Sequence, residues 1–460
     1  MAQFRSAITL VPQVALAALL AISCPAAGQQ AKTDPPPRPN IILCMTDDQG
    51  WGDVSYNGLK KIKTPTLDTM AAAGLRFDRF YAQQSCSPTR ASVLTGRHPS
   101  RIGVFWPGMP LRKEEMTIAQ AAKAAGYATA HFGKWHLNGV AGPGKPITLA
   151  DPLGPGPFGF DEWFSVSNYF ELDWTFSHNG RNVKVSGDGS DAIVAEVMKF
   201  IAQAAQRKQP FLALVWFGSP HAPHKPLPDD LKAADGSAYY GEILGVDRAM
   251  GTLRAGLRKL GIADNTLVWF CSDNGGWLDP AKPDANGTNS ILRGRKGDMW
   301  EGGIRVPAIV EWPARIRRPA ITATPAGVID IYPTIVEITG AKVPNQVRPL
   351  DGLSLVPLID GRMKERPRPM GFWQYNGSRP VTTNSGPSAW NDNRYKLHKL
   401  SARKYELYDV VADPSEKTDI AAEHPEIVER MKVELETWQQ SVLRSYRGED
   451  YAARPSRATD

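Results

Sequence analysis

The sequence predicts an α/β protein. It expects a large, mostly parallel sheet sandwiched by helices, then a smaller C-terminal α/β domain with an antiparallel sheet and a terminal helix. Three observations carry this. Short apolar runs rich in branched residues alternate with helical patterns through the first two thirds of the chain, which implies parallel strands covered on both faces. The texture changes after about residue 365, where short strand-like runs crowd together. With 41 Gly and 38 Pro, about one residue in six favours turns, which fits long, shaped loops rather than a helical bundle.

The elements follow in order. Apolar runs at 40–45, 127–132, 211–217, 266–271 and 306–311 read as buried strands. Between them, 66–73, 117–125, 191–207, 239–260 and 331–338 read as helices. Beyond residue 365, FWQY, RPVTTN, RYKLHKL and KYELYDV read as short antiparallel strands. The last helix spans about 425–445, with Ile427, Met431, Leu435, Trp438 and Val442 at helical spacing. The expected organisation is a signal peptide (1–28), a flexible lead-in (29–38), a catalytic domain (39–365), a smaller C-terminal domain (366–446) and a tail (447–460).

Composition narrows the function classes. A hydrophobic share of 42% in 460 residues is that of a globular chain with a large core. Lys and Arg total 54 against 47 Asp and Glu, a net +7 with no basic stripe, only short clusters at 315–318 and 362–368. That distribution argues against nucleic acid and suits an enzyme that gathers anionic substrates. Arg5, the apolar run 7–23 and the small residues Ala26, Ala27 and Gly28 have the order of an export signal. The run is short for a membrane span and carries Pro12, so the mature protein is expected in the periplasm or outside the cell with no stable membrane anchor. Lipid attachment at Cys24 is the minor alternative. Cys44 and Cys271 sit in apolar runs and read as buried small hydrophobes, with pairing between them left open. Cys86 differs, lying in a polar loop directly before a helical pattern.

The chemistry begins at strand ends. Asp47 and Asp48 follow one buried strand, and Asp273 and Asn274 follow another. A single aspartate there is usually a cap or turn residue. Two pairs of oxygen donors, with no Cys or His among them, point to a hard cation, Ca²⁺ first and Mg²⁺ second.

The next block is Cys86-Ser-Pro88-Thr-Arg90, continuing to Thr95-Gly96-Arg97. It resembles the sulfatase signature C-x-P-x-R followed by T-G-R. The block from Gly126 to Gly133-Lys134-Trp135-His136 resembles the second sulfatase signature. Ser219-Pro-His221, Ser272-Asp273-Asn274-Gly, Lys296 with Trp300-Glu301-Gly-Gly-Ile-Arg305, and Asp413-Pro-Ser-Glu416 match in the family's order, so the resemblance spans about residues 38–445.

What the resemblance implies falls residue by residue. Cys86 is oxidised by a maturation enzyme to formylglycine, whose hydrate attacks sulfur. Asp47, Asp48, Asp273 and Asn274, with the residue at 86, hold calcium. Arg90 holds the hydrated aldehyde, and Lys134 and Lys296 bind sulfate oxygens. His221 protonates the departing alcohol or phenol, and His136 deprotonates the second hydroxyl so that sulfate leaves by C–O cleavage. Taken singly, the lysines could be surface charges and the histidines structural; joined to two specific signatures, the functional readings win.

The implied activity is hydrolysis of sulfate esters to an alcohol or phenol and inorganic sulfate. A phosphonate monoester or phosphodiester hydrolase of the same superfamily is the alternative, because that group shares C-x-P-x-R. A catalytically dead binding protein would lack the convertible cysteine or a metal acid, and this chain lacks neither. Eight aromatic residues between Phe158 and Phe176 either form a sugar-binding platform, which would make the substrate a sulfated carbohydrate, or fill core beneath a long loop.

Overall fold

The strand expected first forms because both of its faces are covered. In this computed structural model, which describes residues 38–278 and 287–451, β1 (Asn40–Thr46) puts Ile41, Leu43 and Met45 into one apolar core and Ile42 and Cys44 into another. That explains a continuous rather than an alternating apolar run. The expected signal at 1–28 with Cys24, nearly all of the lead-in 29–38, and residues 452–460 of the tail lie outside the described residues.

The remaining strands are β2 (Leu75–Tyr81), β3 (Ala128–Lys134), β4 (Glu162–Val166), β5 (Thr175–His178), β6 (Arg181–Lys184), β7 (Phe211–Trp216), β8 (Thr266–Ser272), β9 (Arg305–Glu311), β10 (Ala320–Thr322), β11 (Ala326–Gly327), β12 (Met370–Trp373), β13 (Ser388–Asn391), β14 (Tyr395–Lys399) and β15 (Tyr405–Asp409). The helices are α1 (Pro65–Ala73), α2 (Cys86–Thr95), α3 (Ile118–Ala124), α4 (Gly189–Gln206), α5 (Pro228–Ala233), α6 (Ala238–Lys259), α7 (Glu301–Ile304), α8 (Ile331–Thr339), α9 (Val356–Ile359) and α10 (Pro425–Tyr446). Among the described residues the large sheet has eleven strands in the order β10-β2-β9-β8-β1-β7-β3-β4-β5-β6, with β11 beside β2. Its centre, β8-β1-β7-β3, is parallel throughout, and antiparallel pairs appear where β9 meets β8 and β2 and where β5 meets β4 and β6. The second sheet, β12-β13-β14-β15, is antiparallel, and α10 packs Met431 and Leu435 against Trp390, Leu397 and Leu407.

Register answers one open question. Cys44 lies opposite Phe270 while Met45 lies opposite Cys271, so the two thiols face opposite sides of the sheet, and both are free. Helix starts follow capping chemistry: the Asp188 carboxylate accepts Ser190 N at 2.7 Å at the head of α4, and Thr117 and Gln120 form a capping box before α3.

One expectation needs correction. RPVTTN is a turn, not a strand; Thr382 N donates to Ser385 Oγ at 2.8 Å and Ser385 N to Thr382 O at 2.9 Å, so local bonds take the backbone that a ladder would need. The strand in that region is β13, SAWN. The segment 158–176 contains β4 and the start of β5, and of its two readings the core-filling one holds for most of its rings. Its rings mostly fill core: Phe158, Phe160, Trp163, Phe164, Phe170 and Phe176 are buried, and Trp174 packs partly buried against the same interior. No helix among the described residues is long and apolar enough to cross a membrane.

Candidate active site

Four neighbouring parallel strands deliver side chains to one place. β1 and β8 run in register with Thr46 opposite Ser272, so their next residues, Asp47 and Asp273, emerge side by side. Asp273 N donates to Thr46 O at 3.0 Å, and Asp47 N donates to Ser219 O at 3.1 Å in the segment leaving β7. β3 ends on Lys134, two residues before His136. Gly133 is required there: its φ is 96°, and a Cβ would lie 1.9 Å from Trp216 O on the adjoining strand. This is the carboxyl edge of the sheet, where open α/β folds place their ligands.

Against this edge stands the first turn of α2. Cys86 is 1% exposed, with its Sγ 3.4 Å from Asp47 Oδ1 and accepting from Lys296 Nζ at 3.4 Å. One carboxylate oxygen from each of Asp47, Asp48 and Asp273 and the Cys86 sulfur lie within 4.8 Å of one another. Asn274 completes the group. Its Nδ2 donates to Asp48 Oδ1 at 2.8 Å, while its buried Oδ1 has no hydrogen-bond partner. A buried carbonyl oxygen without a donor, beside three carboxylates, is the donor set a hard divalent cation takes. The residues therefore fit the calcium site the sequence implied.

The positive groups interlock with these acids. Arg90 is fully buried; it donates to Lys134 O at 2.9 Å, Asp47 Oδ2 at 3.1 Å and Asp273 Oδ2 at 2.9 Å, with its guanidinium 5.0 Å over the Trp216 ring. Lys134 Nζ lies 2.5 Å from Asp47 Oδ2, and Lys296 Nζ lies 2.5 Å from Asp48 Oδ1. Lys296 comes from a loop tied down by its own N–H to Gly276 O at 3.1 Å and by Gly297 N to Gln84 O at 2.8 Å. Behind that loop, Lys396 joins Glu301 and Glu416 in a fully buried network.

Burial and charge set the protonation states. Burial raises the Asp47 pKa, but Lys134, His221, Arg90 and Lys296 together outweigh it and hold the carboxyl well below the usual range. Asp273 is raised, first by burial and then by the Asp47 charge. Burial, then Asp273 and Asp47, push the Cys86 thiol upward, the opposite of what a thiolate nucleophile needs. Burial also disfavours the charged form of Lys296, but Asp48, Cys86 and Asp47 hold its ammonium protonated. His136 is lowered well below the usual imidazole range by burial and then by Lys134 and Arg90, which keeps it neutral. His221 is lowered by burial, with Asp48 opposing.

Every expected site residue is in this cluster: Asp47, Asp48, Cys86, Arg90, Lys134, His136, His221, Asp273, Asn274 and Lys296. His221 sits at its mouth, Nε2 3.8 Å from Asp48 Oδ2. Two site residues hold left-handed backbone, Asp48 at φ 66° and His136 at φ 58°, the kind of strain that collects at functional sites. His224, given no role, packs edge-on against Tyr239 at 5.4 Å. Sequence reading missed several supports. Ser87 Oγ donates to His136 O at 2.6 Å and accepts Gly108 N at 2.7 Å, and Thr89 Oγ1 donates to Asp273 O at 2.5 Å. Both are the variable letters of C-x-P-x-R, which carry no signal of their own. Tyr169, one of the eight aromatics, stacks on His221 with ring centroids 5.2 Å apart and planes at 14°.

Comparison with known proteins agrees with this geometry. Residues 39–341 match the sulfatase family, and residues 295–441 match the C-terminal region of N-sulphoglucosamine sulphohydrolase. The chain belongs to the sulfatase family. Human arylsulfatase A is 30% identical over 86% of this chain and 86% of its own length. Human N-acetylgalactosamine-6-sulfatase is 33% identical over 74% of this chain and 69% of its own. Among solved structures, Ps i-CgsB in complex with k-i-k-neocarrahexaose superposes with a TM-score of 0.78 at 28% identity, over 87% of this chain and 93% of that one. As a sulfatase, the chain is a sulfuric ester hydrolase with the fold its motifs implied: a large mixed sheet between helices, a small antiparallel sheet and a terminal helix.

Proposed function

We propose that this sulfatase is an exported, calcium-dependent enzyme of the formylglycine type that removes sulfate from sulfated carbohydrates. The observation that carries the reading is Cys86 itself: a thiol held protonated at the start of α2, 3.4 Å from both a buried carboxylate and a lysine ammonium. As a thiol it is a poor nucleophile; as the precursor of an aldehyde it stands where the reacting oxygen is needed. Because it is 1% exposed, its conversion by a maturation enzyme belongs before folding. Catalysis is assigned to residues 39–365, with 366–446 as a smaller domain behind the Lys296 loop.

When bound, calcium held by Asp47, Asp48, Asp273, Asn274 Oδ1 and the residue at 86 supplies concentrated positive charge against the sulfate group, and the hydrated aldehyde supplies the oxygen nucleophile. The chain's own residues do the rest. Lys134 and Lys296 take sulfate oxygens and offset the charge that builds on them. Arg90 aligns the Asp47 and Asp273 carboxylates, and its charge favours the ionised form of each. His221 delivers a proton from Nε2 to the departing oxygen, and His136, neutral because buried, accepts one at a ring nitrogen.

The carbohydrate substrate is supported by a relative that is an N-acetylgalactosamine-6-sulfatase and by a structural neighbour solved with a neocarrahexaose. The test is released sulfate from a panel of sulfated mono- and oligosaccharides and a nitrophenyl sulfate, with the matching phosphonate and phosphate esters in parallel. Sulfated sugars should give the highest kcat/KM. Preference for the phosphorus esters would select the phosphonate or phosphodiester reading, and preference for the aryl sulfate would remove the carbohydrate one.

A further inference from the structure

The polar groups of the site differ in how firmly they are held. Arg90 has three hydrogen bonds of 3.1 Å or less, and Asp47, Asp48 and Asp273 each meet a cation or a donor at 3.1 Å or less. His221 does not. Its Nδ1 meets the carbonyl of its own neighbour Ala222, its Nε2 stands 3.8 Å from Asp48, and its side chain is 21% exposed. Sideways restraint on the imidazole comes from the Tyr169 ring, stacked nearly parallel to it with centroids 5.2 Å apart.

Tyr169 is itself fixed from both sides. The end of β4 and the residue after it accept Trp135 N on Val166 O at 2.9 Å and His136 N on Ser167 O at 2.8 Å. On its other side Ser167 N donates to Lys145 O at 2.9 Å, and Tyr169 O accepts Gly144 N at 2.8 Å. One short strap thus holds the backbone of His136 and the ring plane of His221. Buried Phe170, the next residue, packs where a Cβ on Gly218, just after β7, would come within 3.0 Å of its ring.

We propose that Tyr169 is a positioning residue that keeps the His221 imidazole aimed at the leaving-group oxygen, so that the enzyme can release poor leaving groups such as sugar alcohols. This rests on the reading of His221 as the acid. In that step the oxygen nucleophile at residue 86 would bond to sulfur as the sulfur–oxygen ester bond breaks; the electron pair of the broken bond stays on the departing oxygen, which takes the Nε2 proton of the His221 imidazolium and leaves a neutral imidazole. A nitrophenolate leaves without the proton; a sugar alkoxide does not. The loss on removing Tyr169 therefore depends on the leaving group, which simple destabilisation does not produce.

The experiment compares mature wild type, Tyr169→Ala, Tyr169→Phe and His221→Gln on a sulfated sugar and on nitrophenyl sulfate, and records the imidazole C2-proton NMR resonance that His221→Gln removes. For Tyr169→Ala, kcat on the sugar should fall about tenfold or more, within the range of general-acid effects, while the aryl sulfate changes less than about threefold. Tyr169→Phe, which keeps the ring, should keep both activities. The His221 resonance should lie upfield in wild type and Tyr169→Phe, shielded by the stacked ring, and move downfield in Tyr169→Ala. Equal losses on both substrates, no loss on either, or an unmoved resonance would overturn the proposal. If His221→Gln itself affects both substrates equally, His221 is not the acid, and the reading beneath the proposal falls with it.

Discussion

Lys396→Met tests whether the small sheet holds the Lys296 loop in place. Lys396 is fully buried, with Nζ 3.0 Å from Glu301 Oε1 and 3.1 Å from Glu416 Oε1. Burial opposes its charge, but Glu416 and Glu301 keep it protonated. Methionine matches the stem and removes the ammonium, leaving Glu301 with Tyr81 OH and Arg305, and Glu416 with His398. Breaking a buried ion pair from one side costs about 3–5 kcal/mol. At about 2.1 cal/mol/K per residue, roughly 400 described residues unfold with an entropy near 0.85 kcal/mol/K, so Tm should fall by about 4–6 °C. Turnover should fall too. Glu301 opens α7 just beyond the Lys296 loop, and Trp300 is clamped between Arg293 at 3.6 Å and the His398 ring at 4.1 Å. Differential scanning calorimetry and sulfate release measure both. A Tm within about 1 °C of wild type with unchanged turnover would refute the reasoning.

Three further outcomes are expected. Calcium at about 100 times its dissociation constant should add about 2.7 kcal/mol, a rise of about 3 °C by the same entropy, and Asp273→Ala should abolish that rise along with activity; a shift that survives the mutation would place the ion elsewhere. Asp351 is held below the ordinary carboxylate range because Arg101 and His98 outweigh its burial, so its stabilisation is full above the unfolded pKa of about 3.9 and is lost as pH falls through the depressed value; the stability gap to Asp351→Asn should be constant near neutrality and close progressively below about pH 4, and a gap that widens in acid would contradict this. Trp163→Ala should cost about 3–5 kcal/mol as a core truncation and leave the ratio of sugar to aryl sulfate turnover unchanged, since Trp163 is buried against Gly156 rather than in the site; a changed ratio would restore the platform idea for that ring.

The parts that could be read from sequence share a physical cause. β1, β7 and β8 are buried on both faces, so their apolar runs are continuous and hard to mistake. The acids directly after β1 and β8 were legible because parallel, in-register strands deliver consecutive residues to one edge. The missed elements have causes too. β2 carries a register shift between Phe77 and Phe80, which breaks the alternation a strand would display. β13 is four residues long with polar ends, and the stronger-looking run before it is consumed by a Thr382–Ser385 turn. Tyr169 was visible only as one aromatic among eight. Its stacking on His221 depends on how the segment after β4 passes the loop after β7, a tertiary fact with no local signal. Glu301 and Glu416 were visible as letters of matching blocks, but their buried pairing with Lys396 was hidden, because charged residues read as surface until their partners are known.

The central claim is that turnover depends on an aldehyde made from Cys86. The most direct measurement pairs peptide mass spectrometry with sulfate release across preparations matured to different extents. Conversion exchanges sulfur and two hydrogens for one oxygen, a loss of about 18 Da at residue 86. Activity should rise in proportion to the converted fraction, extrapolate to zero in its absence, and vanish in folded Cys86→Ala. Full activity from protein whose Cys86 is wholly thiol would contradict the account.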